Sequence, residues 1–301
     1  MAILMISPVS FGFNAETAKN NYFQKNDETQ PSEIQRLALA EFNAMVEKLR
    51  AKNIDVIVVE DTLDPHTPDS IFPNNWVSFH ENGTVSLYPM FAENRRLERR
   101  EDILNHLQQI GFKHNEIFDL THYERENRFL EGTGSMVLDR KQKVAYAAIS
   151  ERTDEQLFEK FCEKFDYFPC AFHAFQTVKN ERLPIYHTNV MMCVADDYAV
   201  LCRDSIDNFQ DRIFVLDRLI GTEKEVVLIS EKQMHAFAGN MLQVENQDGK
   251  KFLVMSQTAF NSLDDEQIKE LSSYNEIISV EIPTIEKYGG GSARCMMAEV
   301  F

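Results

Sequence analysis

Five apolar hairpin-like runs recur at nearly equal intervals, and this periodicity restricts the fold more than any single motif. Four of them have two strand-like arms split by a polar turn. "NNWVSFHENGTVSLYP" turns at Glu81-Asn82-Gly83, "GSMVLDRKQKVAYAAI" at Asp139 to Gln142, "NVMMCVADDYAVLCR" at Asp196-Asp197, and "NMLQVENQDGKKFLVMS" at Gln247-Asp248-Gly249. Behind each, at 96–110, 154–165, 209–220 and 264–271, apolar residues three and four apart predict a helix. A further strand-like run follows each helix: "FKHNEIFDL", "FPCAFHAF", "EVVLIS" and "EIISVEI".

The hairpins start at Asn75, Gly134, Asn189, Asn240 and Arg294, spaced 59, 55, 51 and 54 residues, as in a repeat array. After Arg294 only one strand remains, but the N-terminus offers "AILMISP", a helix at 32–51 and the strand "IDVIVVED". Joined head to tail, the two ends complete a fifth ββαβ unit. A closed ring of five would leave no small sheet with an open edge; an irregular α/β sheet is the alternative that periodicity alone leaves standing.

The chain has 301 residues, 44% of them hydrophobic, enough for a sizeable core. Its formal charge is −17, with no basic block, which argues against nucleic acid and anionic membranes as partners. No run approaches the ~18 apolar residues of a membrane span. "MAILMISPVS" lacks the basic start of a secretory leader. The five cysteines, without CxxC spacing, indicate neither a disulfide framework nor a zinc site. The expectation is a reduced, cytoplasmic location, no metal and no cofactor; self-association is left open.

In a ring, functional groups belong where hairpins begin, because those points converge on the centre. Around them stand Asp69, Asn74, Asn75, Glu131, His187, Asn189 and Cys295, a polar set for the first residues of buried strands. Cysteine, histidine and a carboxylate in one cleft are equipment for nucleophilic catalysis: the thiolate attacks, the imidazole moves protons, the carboxylate orients.

"HTPDSIFPNNW", "FLEGTGSMVLD", "YHTNVMM" and "GGGSARCMM", in this order, resemble the guanidine-modifying, or pentein, superfamily, which includes arginine deiminases, dimethylarginine hydrolases, agmatine deiminases and amidinotransferases. The resemblance covers essentially the whole chain, and within the superfamily it is to the citrulline utilisation hydrolase group. It implies a single domain over 1–301, an α/β five-bladed propeller with pseudo-five-fold symmetry whose termini complete one blade. It also implies a covalent thio-intermediate, with Cys295 as nucleophile, His187 as general acid and base, Glu131 holding substrate nitrogens or the histidine, and Asp69 as a contact either to the substrate or to the groups that hold it.

The chain departs from arginine deiminases at two positions, where asparagine (Asn75 and Asn189) replaces carboxylate. An amide offers a donor and an acceptor without charge and suits a neutral ureido group; a carboxylate suits a guanidinium. The pattern therefore points to a small ureido or guanidino amino acid, with citrulline ahead of arginine, going to ornithine, carbon dioxide and ammonia. An arginine deiminase-type hydrolase, an amidinotransferase and a non-catalytic binding module on the same fold are the alternatives.

For the substrate carboxylate, "ENRRLERRED" supplies Arg96 by resemblance, with Arg294 a weaker candidate; i,i+3 and i,i+4 pairing on a solvated helix would look the same. The triple glycine at 289–291 is expected to give backbone freedom for the approach of Cys295. The polar, aromatic segment 10–33 is either a lid or a plain surface loop. Cys162, Cys170, Cys193 and Cys202 are expected in the core.

Overall fold

The computed structural model describes residues 1–301 and contains five three-stranded sheets built on one plan. In four of them, two antiparallel strands form a hairpin, and a third strand, reached through a helical connection, pairs parallel with the second. The hairpin Val77–Phe79/Thr84–Leu87 adds Glu116–Asp119, and Val137–Asp139/Val144–Ala148 adds Phe168–Phe172. Met192–Val194/Tyr198–Leu201 adds Glu225–Leu228, and Leu242–Glu245/Lys251–Ser256 adds Glu276–Val280.

The remaining sheet joins the two ends of the chain. Ala298–Val300 runs antiparallel to Ala2–Ser7, with Leu4 opposite Ala298, and Ala2–Ser7 runs parallel to Val56–Glu60, with Ile3 opposite Val56. Contacts then pass from sheet to sheet. Strand 298–300 touches 77–79, the turn 132–135 touches 77–79, 137–139 touches 192–194, 192–194 touches 242–245, and 251–256 touches the turn 293–296.

The helices lie where the apolar spacing predicts, with local chemistry setting their ends. Glu155–Phe165 begins at Asp154, whose side chain accepts from the Leu157 amide, and buries Leu157, Phe158, Phe161, Cys162 and Phe165 as one stripe. Asp265–Tyr274 starts with a capping box between Asp264 and Gln267. Burial of each Phe or Leu in such a stripe contributes ~1.5–3 kcal/mol. One prediction shifts: of 96–110, only Glu101–Gln109 is α-helix, while Asn94–Glu98 is a 3-10 turn. An added hairpin, Phe175–Val178 with Glu181–Pro184, follows the sheet that ends in Phe168–Phe172.

The four cysteines expected in the core are buried, and all five are free thiols. No helix is long and apolar enough to cross a membrane.

Candidate active site

Short turns ahead of four of the hairpins deliver the side chains of the site. They are Pro73–Asn75, Gly132–Ser135, Thr188–Val190 and Ala293–Met296. Cys295, His187, Asp69 and Asn75 line one small cleft of about 270 Å³, together with Thr17, Asn21, Phe72, Arg95, Arg152, Tyr186 and Gly289 to Gly291.

His187 Nε2 lies 2.7 Å from Glu131 Oε2. The other Glu131 oxygen accepts from the Phe91 amide at 2.9 Å, and Arg152 Nη1 stands 3.4 Å from Oε2. Burial alone would raise the Glu131 carboxyl, but Arg152 and His187 outweigh it and hold the group below the usual carboxylate range. Burial lowers His187 to about 4, against the opposing pull of Glu131. At neutral pH the imidazole is therefore uncharged, with Nε2–H donating to Glu131 and Nδ1 left as its basic nitrogen.

Cys295 Sγ sits among amides: Asn189 Nδ2 is at 3.5 Å and Asn240 Nδ2 at 3.3 Å. Asn240 Oδ1 in turn accepts from the Arg294 amide at 3.1 Å. No hydrogen bond joins Sγ to His187, and both residues line the cleft.

The segment 10–33 proves to be the roof. Asn14 and Thr17 donate to Asp69 Oδ2 at 2.8 and 3.1 Å. Asn20 Oδ1 accepts from Arg152 Nε at 2.8 Å, and Asn21 Nδ2 reaches the Gly289 and Gly290 carbonyls at 3.4 and 3.3 Å. Burial raises Asp69, with Arg95, Asn14 and Thr17 opposing, and its Oδ1 has no partner in the protein.

The glycine run is a close-packed corner rather than a flexible hinge. Gly289 ends the helix Pro283–Gly289, and Gly290 caps it in a left-handed conformation, φ 63°. A Cβ on Gly289 or Gly291 would fall 2.7 or 2.9 Å from the Phe72 ring. These contacts, with Tyr186 Oη donating to the Gly290 carbonyl at 2.8 Å, fix the backbone ahead of Cys295.

Three expected substrate contacts lie off the cleft. Asn74 donates to Thr133 Oγ1 at 3.3 Å. Asn189 Nδ2 donates to Cys295 Sγ at 3.5 Å and the residue lines a separate cavity that Cys295 does not border. Arg96 donates to the Met90 carbonyl at 3.0 Å and lies 3.6 Å from Glu124. The arginines that reach the cleft are Arg95 and Arg152. Arg95 is clamped to Glu98 at 2.8 and 2.9 Å and donates to Asn75 Oδ1 at 2.8 Å. Arg152 lies between the Phe91 and Tyr186 rings, 5.7 and 4.9 Å from their centroids. No group of three or more His, Cys, Asp or Glu side chains converges to hold a metal ion.

The fold and this thiol–imidazole–carboxylate geometry define a member of the pentein/amidinotransferase superfamily. Within it, the family model described as N,N dimethylarginine dimethylhydrolase, eukaryotic, matches residues 7–301, and the chain belongs to that family. No curated protein matches the chain. Among solved structures, the chain is similar to ArgZ, an arginine dihydrolase from the ornithine-ammonia cycle in cyanobacteria, at 17% identity and TM-score 0.75, covering 99% of this chain and 40% of that one. An N-terminal domain of ArgZ bound covalently to a reaction intermediate aligns over 100% of this chain and 97% of its own, at 17% identity and TM-score 0.73. A dimethylarginine dimethylaminohydrolase variant, as an adduct with S-methyl-L-thiocitrulline, aligns over 99% and 98%, at 14% identity and TM-score 0.65. The chain thus spans 40% of full-length ArgZ.

Proposed function

We propose that the chain is a cysteine-dependent hydrolase of a ureido amino acid, with L-citrulline as substrate and ornithine, carbon dioxide and ammonia as products. The observation that carries this reading is the amide of Asn75. Arg95 occupies its oxygen at 2.8 Å, and its buried nitrogen has no partner in the protein. That N–H needs an acceptor. A guanidinium has only donors, whereas a ureido carbonyl accepts and its NH2 can donate to the unpartnered Asp69 Oδ1.

In this reading His187 takes the thiol proton, and Cys295 Sγ forms a bond to the ureido carbon. Asn189 and Asn240 amides support the sulfur, and the Asn75 N–H bonds the oxygen as negative charge develops there. The His187 imidazolium, paired with Glu131, returns its proton to the departing alkyl nitrogen, and ornithine leaves as the carbon–nitrogen bond breaks. Water then cleaves the S-carbamoyl group, and the carbamate decomposes to carbon dioxide and ammonia. Both cleft arginines are held within the protein, Arg95 by Glu98 and Asn75 and Arg152 by Glu131, Asn20 and the Thr17 carbonyl, so neither is assigned to the substrate's carboxylate.

A second reading, hydrolysis of arginine or a substituted arginine, draws support from the unpartnered Asp69 oxygen, which suits a cation, and from the relatives named for those substrates. The sheet-to-sheet contacts support the finer fold assignment, a closed five-bladed ring forming one catalytic domain over 1–301. The test is product analysis with L-citrulline and L-arginine in parallel. Ornithine and ammonia from citrulline, absent with Cys295→Ala, are expected; turnover of arginine alone would replace the first reading with the second.

A further inference from the structure

A second cavity, of about 630 Å³, lies where the strands Val137–Asp139, Met192–Val194 and Leu242–Glu245 come together with Arg294 and Glu299. It shares Arg140, Lys141, Asp196, Gln243 and Glu299 with a wider hollow of about 1280 Å³, so the inner cavity opens into the outer one. Arg294 lines this cavity and not the cleft, whereas the next residue, Cys295, lines the cleft and not the cavity.

The charges along the wall do not cancel in pairs. Asp139 is held by the buried Lys224 at 3.0 Å, and Asp196 is held by Lys251. Three lining cations remain, Arg140, Lys141 and Arg294, with one carboxylate, Glu299, between them. Lys141 is exposed and has no ion-pair partner. Glu81 and Glu245 line only the outer hollow and are exposed, where water and salt screen them. In a chain of net charge −17, an excess of cations around one cavity favours an anion there.

Glu299 satisfies neither guanidinium. It accepts one hydrogen bond from Arg140 Nε and one from Arg294 Nη2, each at 3.3 Å, longer than the ~2.7–2.9 Å of a strong charge-assisted pair. Arg294 Nη1 donates to the Met297 carbonyl at 2.8 Å. The Arg140 guanidinium lies over the Phe301 ring, 4.7 Å from its centroid, with Tyr167 beside it. Arg294 Nε and the two Arg140 Nη atoms form no hydrogen bond within the protein, yet none of the three is sealed from solvent. Burial pulls Arg294 below the usual guanidinium value, with Glu299 opposing. Half-paired guanidinium forks beside an open cavity suit an oxyanion, which takes two N–H bonds from one fork.

We propose that this cavity is a binding site for a small oxyanion, a carboxylate or a phosphate, held by the free N–H groups of Arg140 and Arg294 and by Lys141. The site is distinct from the cleft of the candidate active site and does not depend on the identity of the substrate bound there.

The experiment is calorimetric titration of the full chain with inorganic phosphate and, separately, with succinate, in a zwitterionic buffer free of other small oxyanions. The proteins are the wild type, Arg140→Lys, which keeps the charge but loses the fork, and Lys141→Ala. At least one of the two anions is expected to bind the wild type with a dissociation constant below ~1 mM, and the tighter of the two tells phosphate from carboxylate as the natural ligand's group. Each substitution is expected to weaken that binding at least ~5-fold. Lys141 is exposed, so its variant reports on the site even where Arg140→Lys fails to fold. Absence of binding of both anions to folded wild type, or an affinity unchanged in either folded variant, would overturn the proposal.

Discussion

Arg95 Nη1 donates to Asn75 Oδ1 at 2.8 Å, so a buried guanidinium decides which end of a neutral amide faces the substrate. Glu98, raised by burial to about 7 against the opposing charge of Arg95, grips the other side of that guanidinium. The arrangement leaves the Asn75 amide nitrogen, buried against Gly134, without a partner and puts no charge at position 75.

Asn75→Asp would remove that donor and give Arg95 a carboxylate in its place. The kcat/KM for citrulline is expected to fall about 10²-fold, roughly 3 kcal/mol of lost transition-state binding, while that for arginine does not fall. Steady-state kinetics on both substrates check this, and equal losses on the two would contradict the role given to Asn75.

The buried His187 predicts an acid-side loss of stability. Its folded value, about 4, lies below the ordinary 6.5, so the unfolded chain binds the proton first. The contribution is complete above about pH 6.5 and is lost as pH falls through 4, by up to about 3 kcal/mol. Glu131, held below its ordinary 4.5, adds its own loss only below that value. Glu98, raised to about 7, acts in the opposite sense over the same range but is common to both proteins, so urea melts between pH 6.5 and 4.5 should show the wild type losing stability relative to His187→Asn.

Packing at the glycine corner separates two substitutions. In Gly291→Ala the new Cβ lies 2.9 Å from the Phe72 ring and 3.3 Å from Cys295 Cβ. A kcat loss of at least ~10-fold with destabilisation of ~1–3 kcal/mol is expected. In Gly290→Ala the Cβ meets the Asn21 and Gln24 side chains at 2.6 Å with φ still positive, so the roof loosens, and limited proteolysis within 10–33 should quicken.

Alkylation with iodoacetamide should be selective and slow. Burial pushes Cys162, Cys170 and Cys193 up to about 12, which removes their thiolate at neutral pH. Cys295, 4% exposed beneath the roof, should carry the single adduct seen by peptide mass spectrometry, and citrulline should protect it.

The repeat was legible because hairpin turns and helix stripes are local signals, and Cys295, His187, Glu131 and Asp69 follow from motifs at the hairpin starts. The added hairpin was hidden because its turn, Lys179-Asn180, takes left-handed dihedrals of 49° and 70° without a glycine. Arg152 lies in a polar stretch that looks solvated, and only the fold brings Asn20, 132 residues away, onto it. The choice between neighbours Arg95 and Arg96 depended on a 3-10 turn, whose three-residue period puts Arg95 and Glu98 on one face. Asn240 was readable: it occupies the same place in its repeat as Asn75 and Asn189.

The central claim is attack by Cys295 on a neutral ureido carbon, and the most direct test is the mass of the covalent species. Protein quenched in acid during citrulline turnover should carry a carbamoyl group on the peptide containing Cys295, absent in Cys295→Ala, while arginine leaves no adduct. An adduct from arginine, alkylthiouronium after loss of ammonia or amidino after loss of ornithine, with citrulline leaving the thiol unmodified, would contradict the account.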